Sequence, residues 1–246
     1  MDGAGLVLPA YAPVPAGVHP PLDSPQYRST QLRAPLRPLV PLPLGLTEVT
    51  GPLLGAGRVT AADADLTAQS DGAPQGQRIT VVGRVLDGSG RAVPDTLVEI
   101  WQANAAGRYA HRADTWAAPL DPHFAGVGRA VTDAQGHYSF TTVKPGAYPW
   151  GNHPNAWRPA HIHFSLFGRS FTSRLVTQMY FPDDPLFGQD PIYASVPAPA
   201  RSRLVSRFDL AQTTPGWALA FVFDIVLRGP RATPLEVPAA PARGTG

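Results

Sequence analysis

Ile79-Thr80-Val81-Val82-Gly83-Arg84-Val85-Leu86, followed by Asp87-Gly88-Ser89-Gly90 and then Thr96-Leu97-Val98-Glu99-Ile100-Trp101, sets the architecture. Both runs are rich in β-branched and apolar residues, and the turn between them is built from glycine, serine and aspartate. That pattern reads as two antiparallel strands. Downstream the same grammar recurs at Gly136–Val143, Ala160–Phe167, Thr172–Phe181 and Trp217–Leu227, with Ala134-Gln135-Gly136 and Gly168-Arg169-Ser170 as turns. Short strands at this spacing, with hardly any helical periodicity, predict an all-β fold, an antiparallel β-sandwich with long loops. Arg201–Leu210 is too short to assign.

Upstream, residues 1–76 are dense in proline and glycine, as in Val7-Leu8-Pro9-Ala10-Tyr11-Ala12-Pro13-Val14-Pro15. Proline removes a backbone donor and fixes φ, so an extended Pro-rich N-terminal arm is expected, with one short helical piece near Ala61–Ala68. The first 20 residues suit a disordered end equally well. Residues 77–233 then form the sandwich domain, and 234–246, which return to Pro, Ala and Gly, are expected to fray.

The 246-residue length suits one core of this class. A net charge of +2 with 15% charged residues lacks the basic excess that a phosphate backbone requires, so no nucleic-acid partner is expected. Cysteine is absent, which removes disulfides, thiolate metal sites and a cysteine nucleophile. Any metal must bind nitrogen or oxygen. No apolar run approaches a membrane span and the start resembles no secretory signal, so a soluble, cytoplasmic protein is expected. Lys144, the sole lysine, sits in a Val-Lys-Pro-Gly turn, a poor setting for a Schiff base.

The most informative chemistry lies in Arg158-Pro159-Ala160-His161-Ile162-His163-Phe164. Side chains alternate along a strand, so His161 and His163 emerge on one face about 6.5 Å apart while Ile162 and Phe164 take the other. Two imidazoles so placed can converge on a metal, and a lone His-x-His fits hydrogen-bonded surface histidines as well. Two tyrosines in constrained segments add to the signal. Tyr109 ends Trp101-Gln102-Ala103-Asn104-Ala105-Ala106-Gly107-Arg108-Tyr109, and Tyr148 lies in Lys144-Pro145-Gly146-Ala147-Tyr148-Pro149-Trp150. Singly, each also fits an amphipathic core or rim position. Together they suggest a hard ferric ion, which favours anionic oxygen and depresses a phenol pKa. Arg158, held extended by Pro159, would be a fixed positive charge near such an ion, or an ordinary ion-pairing arginine. Gln178 could add a neutral hydrogen bond from the next strand.

These segments, with Ala118-Pro119-Leu120-Asp121-Pro122 and Phe124-Ala125-Gly126-Val127-Gly128-Arg129, resemble the intradiol ring-cleaving dioxygenases from about Tyr27 to Arg231. The resemblance implies one non-haem Fe(III) per chain, with Tyr109 and His161 as equatorial ligands and Tyr148 and His163 as axial ones. It implies that the iron activates a catechol-type substrate, here protocatechuate, toward O2, giving 3-carboxy-cis,cis-muconate. Tyr148 would be displaced and act as base, and 77–233 would be the catalytic domain. Arg158 and Gln178 match residues near the substrate ring. Trp101, Trp150 and Ile192 match the pocket wall, and Tyr27 matches a contact to the substrate carboxylate. In two-chain members a homologous α chain lacks the ligands, so their retention implies the β role in a hetero-oligomer, with the arm as partner contact. Ala130, often cysteine in the family, departs from the pattern without touching the centre.

Three other readings compete. A catechol or hydroxyquinol dioxygenase would carry a helical N-terminal region in place of the proline-rich arm. A non-catalytic β-sandwich assembly module would have structural histidines. A zinc or copper hydrolase lacks its His-Glu-x-x-His motif here.

Overall fold

The computed structural model describes residues 15–38, 40, 59–168 and 175–236. The expected sandwich forms. One sheet is antiparallel throughout and joins β3 (Val127–Val131), β2 (Leu97–Trp101), β7 (His161–Phe167) and β8 (Leu175–Tyr180) in that order. The other centres on β1 (Arg78–Leu86), flanked on one side by β4 (His137–Val143) and on the other by β10 (Leu219–Val222) and β11 (Ile225–Val226). β9 (Arg207–Phe208) extends it beyond β10, and a separate ribbon pairs β5 (Tyr148–Pro149) with β6 (Trp157–Arg158). The short helices α1 (Pro191–Ser195) and α2 (Ala198–Arg201) follow β8.

The core lies between the two sheets. Val81, Val85, Phe140 and Phe223 from one face meet Val98, Ile100, Ile162, Phe164 and Met179 from the other. Phe164 is the hub, with ring centroids 5.8 Å from Phe140 and 5.3 Å from Phe223. Offset and edge contacts of this kind add to the burial of the rings themselves.

Two details depart from the alternation read along the sequence. First, β1 and β2 do not pair. The Asp87–Gly90 turn closes only a short antiparallel return, Leu86 to Ala92 with Val93 N–H to Val85 O at 2.9 Å. Pro94 then has no donor to continue it and Asp95 adopts φ 54°, so the chain leaves for the opposite sheet. Second, β1 runs parallel to β10 and β11. The single run expected over Trp217–Leu227 is interrupted at Phe223-Asp224, where the Asp224 carboxylate accepts the Arg84 N–H at 2.8 Å. The Val127–Val131, Arg207–Phe208 and two-residue ribbon strands were not expected. The helical piece near Ala61–Ala68 is a 3-10 turn over Ala61–Ala64. Thr172–Ser173–Arg174 and the Arg169–Ser170 part of a predicted turn lie outside the described residues.

Within the arm, Tyr27 and Val18 are buried and Thr30 closes a tight turn by donating to Tyr27 O at 2.7 Å. At the other end residues 234–236 are hydrogen-bonded into the domain. Glu236 N–H donates to Val176 O at 2.8 Å, and Thr177 Oγ1 donates to Pro234 O at 2.7 Å. Residues 237–246 lie outside the described part. Among the described residues no helix is long and apolar enough to cross a membrane.

Candidate metal centre

β7 is buried on both faces, which is unusual for a strand of a two-layer sandwich. Ile162, Phe164 and Leu166 take the core side. The opposite side carries His161 and His163, and loops cover it. Register supplies the neighbours: Trp101 on β2 stands opposite His163, Gln178 on β8 opposite His163, and Tyr180 opposite His161. Directly paired residues share a face, so one patch of sheet presents two imidazoles, an indole, an amide and a phenol.

The two tyrosines come from loops locked together. Gly146 N–H donates to Asn104 O at 2.9 Å, and Gly107 takes φ +79° in a place where a Cβ would run into the carbonyl oxygen of Ala147. Glycine alone permits that approach. The Asn104 side chain accepts from Ala106 N–H and Arg108 N–H, both at 2.9 Å, and Asp114 accepts from Tyr109 N–H at 2.8 Å, which aims the Tyr109 ring. The Tyr109 and Tyr148 rings meet edge to face, centroids 5.6 Å apart.

Tyr109 Oη lies 3.1 Å from His163 Nε2, and Tyr148 Oη lies 3.3 Å from His161 Nε2. The other ring nitrogens are committed elsewhere. His161 Nδ1 is 2.6 Å from Pro159 O and His163 Nδ1 is 3.0 Å from Glu236 Oε2. A carbonyl and a carboxylate only accept, so each Nδ1 carries a proton and each Nε2 is turned toward a tyrosine oxygen. Trp101 stacks on His163 with centroids 4.8 Å apart and planes within 6°.

The electrostatics match this donor set. Burial, aided by Arg158 and His163, holds His161 well below the usual imidazole pKa, so it is neutral and free to coordinate. Burial also pushes the Tyr109 phenol well above 10, with the charge of Tyr148 adding to it, and raises Tyr148. A multivalent cation at the meeting point is the counter-charge that would reverse both shifts. Two phenolic oxygens and two imidazole nitrogens therefore fit a hard trivalent ion. Among the described residues no cluster of three or more His, Cys, Asp or Glu offers an alternative.

Behind the centre is a buried network that alternation along one strand does not reveal. Arg158 Nε donates to Asp190 Oδ2 at 3.0 Å, its Nη2 donates to Gln178 Oε1 and to Tyr180 Oη, and the side chains of the Arg158–Asp190 pair are almost wholly shielded from solvent. Burial alone would lower the Arg158 pKa, but Asp190 and then Tyr180 hold it well above its usual value. Asp190 also caps α1 by accepting from Ile192 N–H at 2.9 Å. Because arginine only donates, Gln178 Oε1 must face it, which leaves Gln178 Nε2 buried without a hydrogen-bond partner.

An open cavity of about 840 Å³ reaches Tyr109 and Tyr148 and is walled by Trp150, Trp116, Pro149, Asp114 and Arg28. Trp150 is thus on the wall. Trp101 lies beneath, against His163. Tyr27 is packed edge to face behind Trp150 at 5.2 Å, and its neighbour Arg28 faces the cavity instead. Ile192 is buried in the first turn of α1, joined to the centre through Asp190. Asp190, Tyr180 and Glu236 were missed in the sequence. Tyr180 had a signal, since it shares Gln178's alternation on the strand beside the histidines, whereas Glu236 lies in a Pro- and Ala-rich tail with no periodicity.

A family model described as Dioxygenase matches residues 49–229, and one described as Protocatechuate 3,4-dioxygenase beta subunit N terminal matches residues 11–44. The chain is 59% identical over 239 residues to the protocatechuate 3,4-dioxygenase beta chain of Burkholderia cepacia, covering 96% of this chain and 100% of that one. It is 33% identical over 159 residues to the alpha chain from the same organism, covering 64% of this chain and 76% of that one. Among solved structures, 3-chlorocatechol 1,2-dioxygenase from Rhodococcus opacus superposes with a TM-score of 0.51 at 25% identity, over 67% of this chain and 64% of that one. With a matching family model over most of its length and a relative this similar from end to end, the chain belongs to the intradiol ring-cleaving dioxygenases.

Proposed function

We propose that this chain is the iron-bearing β subunit of a protocatechuate 3,4-dioxygenase, opening protocatechuate with O2 to 3-carboxy-cis,cis-muconate. The observation that carries the reading is the convergence of Tyr109 and Tyr148 oxygens on two Nε2 atoms whose Nδ1 protons are already committed. Intradiol dioxygenases use non-haem ferric iron. Tyr109, Tyr148, His161 and His163 would hold one such ion, which supplies Lewis acidity that lowers phenol pKa values and primes a bound catecholate for reaction with O2.

The chain's own residues do the rest. Tyr148, which lines the cavity, would take up a catechol proton at Oη. Arg158, kept charged by Asp190, offers a fixed positive potential to negative charge developing on the ring. Gln178, buried between Arg158 and Glu236, would offer its amide to the same region. Trp150 would wall the bound ring, Tyr27 backs Trp150, Trp101 backs His163, and Ile192 would contribute to the pocket from the first turn of α1.

A homologous α chain is the expected partner, since this chain also resembles an alpha chain at 33% identity. The arm, residues 1–76, would form much of that contact, because Leu32 and Leu36 stand 86% and 99% exposed on it. Residues 77–233 would be the catalytic domain and the protein cytoplasmic. Catechol or hydroxyquinol would be weaker substrates.

The test is a visible spectrum of iron-loaded protein, with α chain present, before and after anaerobic protocatechuate. A phenolate-to-iron band that shifts on addition, followed by turnover when O2 is admitted, is expected. A colourless protein that retains no iron overturns the reading.

A further inference from the structure

The two histidines of the centre are held in chemically different ways. His161 Nδ1 is satisfied locally by a neutral backbone carbonyl two residues away, Pro159 O at 2.6 Å. His163 Nδ1 instead meets a carboxylate brought from 73 residues further along the chain, Glu236 Oε2 at 3.0 Å, and both side chains are shielded from solvent. The carboxylate does not arrive by chance. The strap that carries it is fixed by Thr233 N–H to Val226 O at 2.8 Å, Thr177 Oγ1 to Pro234 O at 2.7 Å, Leu235 N–H to His19 Nδ1 at 3.1 Å, and Glu236 N–H to Val176 O at 2.8 Å. Four consecutive residues are thus tied to β11, β8 and the N-terminal arm, and the glutamate at their end is delivered to a ring already stacked on Trp101.

We propose that Glu236 is a positioning residue for His163, orienting its imidazole and raising the donor strength of Nε2 toward the metal. A carboxylate behind a histidine ligand fixes the tautomer and increases ligand basicity, effects that a backbone carbonyl supplies more weakly. The centre therefore has one strong and one ordinary imidazole donor. The stronger one depends on Glu236. This rests on the iron-site reading above.

The test compares wild type, Glu236→Gln, Glu236→Ala and Thr177→Val, each iron-loaded and with α chain. The readouts are the rate of iron release to a ferric chelator, the position of the visible phenolate-to-iron band, and the melting temperature of the metal-free protein. Glu236→Ala is expected to release iron about 10–100-fold faster. Glu236→Gln keeps an acceptor but not the charge, so it should fall between and shift the band. Thr177→Val loosens the strap while keeping the carboxylate, and should release iron within about threefold of wild type with its band in place. Release rates within twofold of wild type and unshifted bands in both Glu236 variants overturn the proposal. So does a Thr177→Val effect equal to that of Glu236→Ala, since docking of the strap would then explain everything. Should Glu236→Ala not fold, the near-isosteric Glu236→Gln decides on the same criteria. A wild type with no iron and no band brings down the functional reading itself, an outcome distinct from an iron-bearing wild type indifferent to Glu236.

Discussion

Tyr148 Oη and His161 Nε2 stand 3.3 Å apart, joining a proline-bounded segment that lines the open cavity to a strand buried on both faces. Burial raises the pKa of both phenols, and Arg158 opposes it at each. Tyr148, in the proline-bounded segment, is the phenol proposed to give up and regain a proton.

Tyr148→Phe removes that base while leaving Tyr109 and both histidines. Turnover should fall by a factor on the order of 10²–10⁴, with iron still bound and the visible band weakened. Steady-state and single-turnover kinetics read against iron content check this, and unchanged rates would remove the role.

Breaking the Arg158–Asp190 pair leaves a buried charge without its partner. Asp190→Ala should cost about 3–5 kcal/mol in urea unfolding. The double variant Arg158→Met with Asp190→Leu should recover much of that stability while remaining inactive. Equal destabilisation by the single and double variants would argue that the pair is not coupled.

Gly107→Ala touches none of the four proposed ligands, yet its methyl would be forced against the Ala147 carbonyl in a backbone conformation with φ +79°. Spreading the two tyrosine loops should cost about 1–3 kcal/mol and weaken iron retention at the same time. Chelator competition alongside thermal melting tests whether both losses appear together.

The pH response follows from the neutral histidines. His161 has its folded pKa pushed well below the 6.5 of an unperturbed imidazole by burial, Arg158 and His163, and burial also lowers His19. The unfolded chain thus binds more protons below about pH 6.5, and the stability of the metal-free protein should fall as pH drops through that range. Glu236 is lowered from 4.5; burial, the largest single influence, opposes the shift, but His163, Gln178 and Arg158 together outweigh it, so its contribution is present above 4.5 and lost only in stronger acid. Melting temperatures of metal-free protein from pH 8 to well below 4.5 should show two separate declines, and His161→Phe should flatten the upper one.

Much of this was legible in the residues. Period-two alternation located β1, β2, β4, β7 and β8, and it placed His161 and His163 on one face because the side chain of each strand residue is tied to its position. Pairing was less legible. Alternation is the same whether a strand bonds to its sequence neighbour or to one far along the chain, so the separation of β1 from β2 and the parallel match of β1 with β10 had no local signature. Arg158 and Gln178 were found by position and resemblance, but their joint tie to Asp190 and Tyr180 depends on how α1 folds back over β8. Glu236 had no signal because its place is set by bonds from Val176, Thr177 and His19 rather than by its own neighbours.

The parallel match of Val82 with Val222 also bears on synthesis. While the chain is still being made, β1 has β4 on one side and an unfilled row of amides and carbonyls on the other, an edge open to stray association. That edge closes only when the carboxyl-terminal strands emerge, and the residues that follow them carry the glutamate behind His163. A nascent chain therefore closes the β1 edge and brings Glu236 behind His163 in the same stretch of synthesis, so truncation ahead of it would leave that edge open and His163 without its carboxylate.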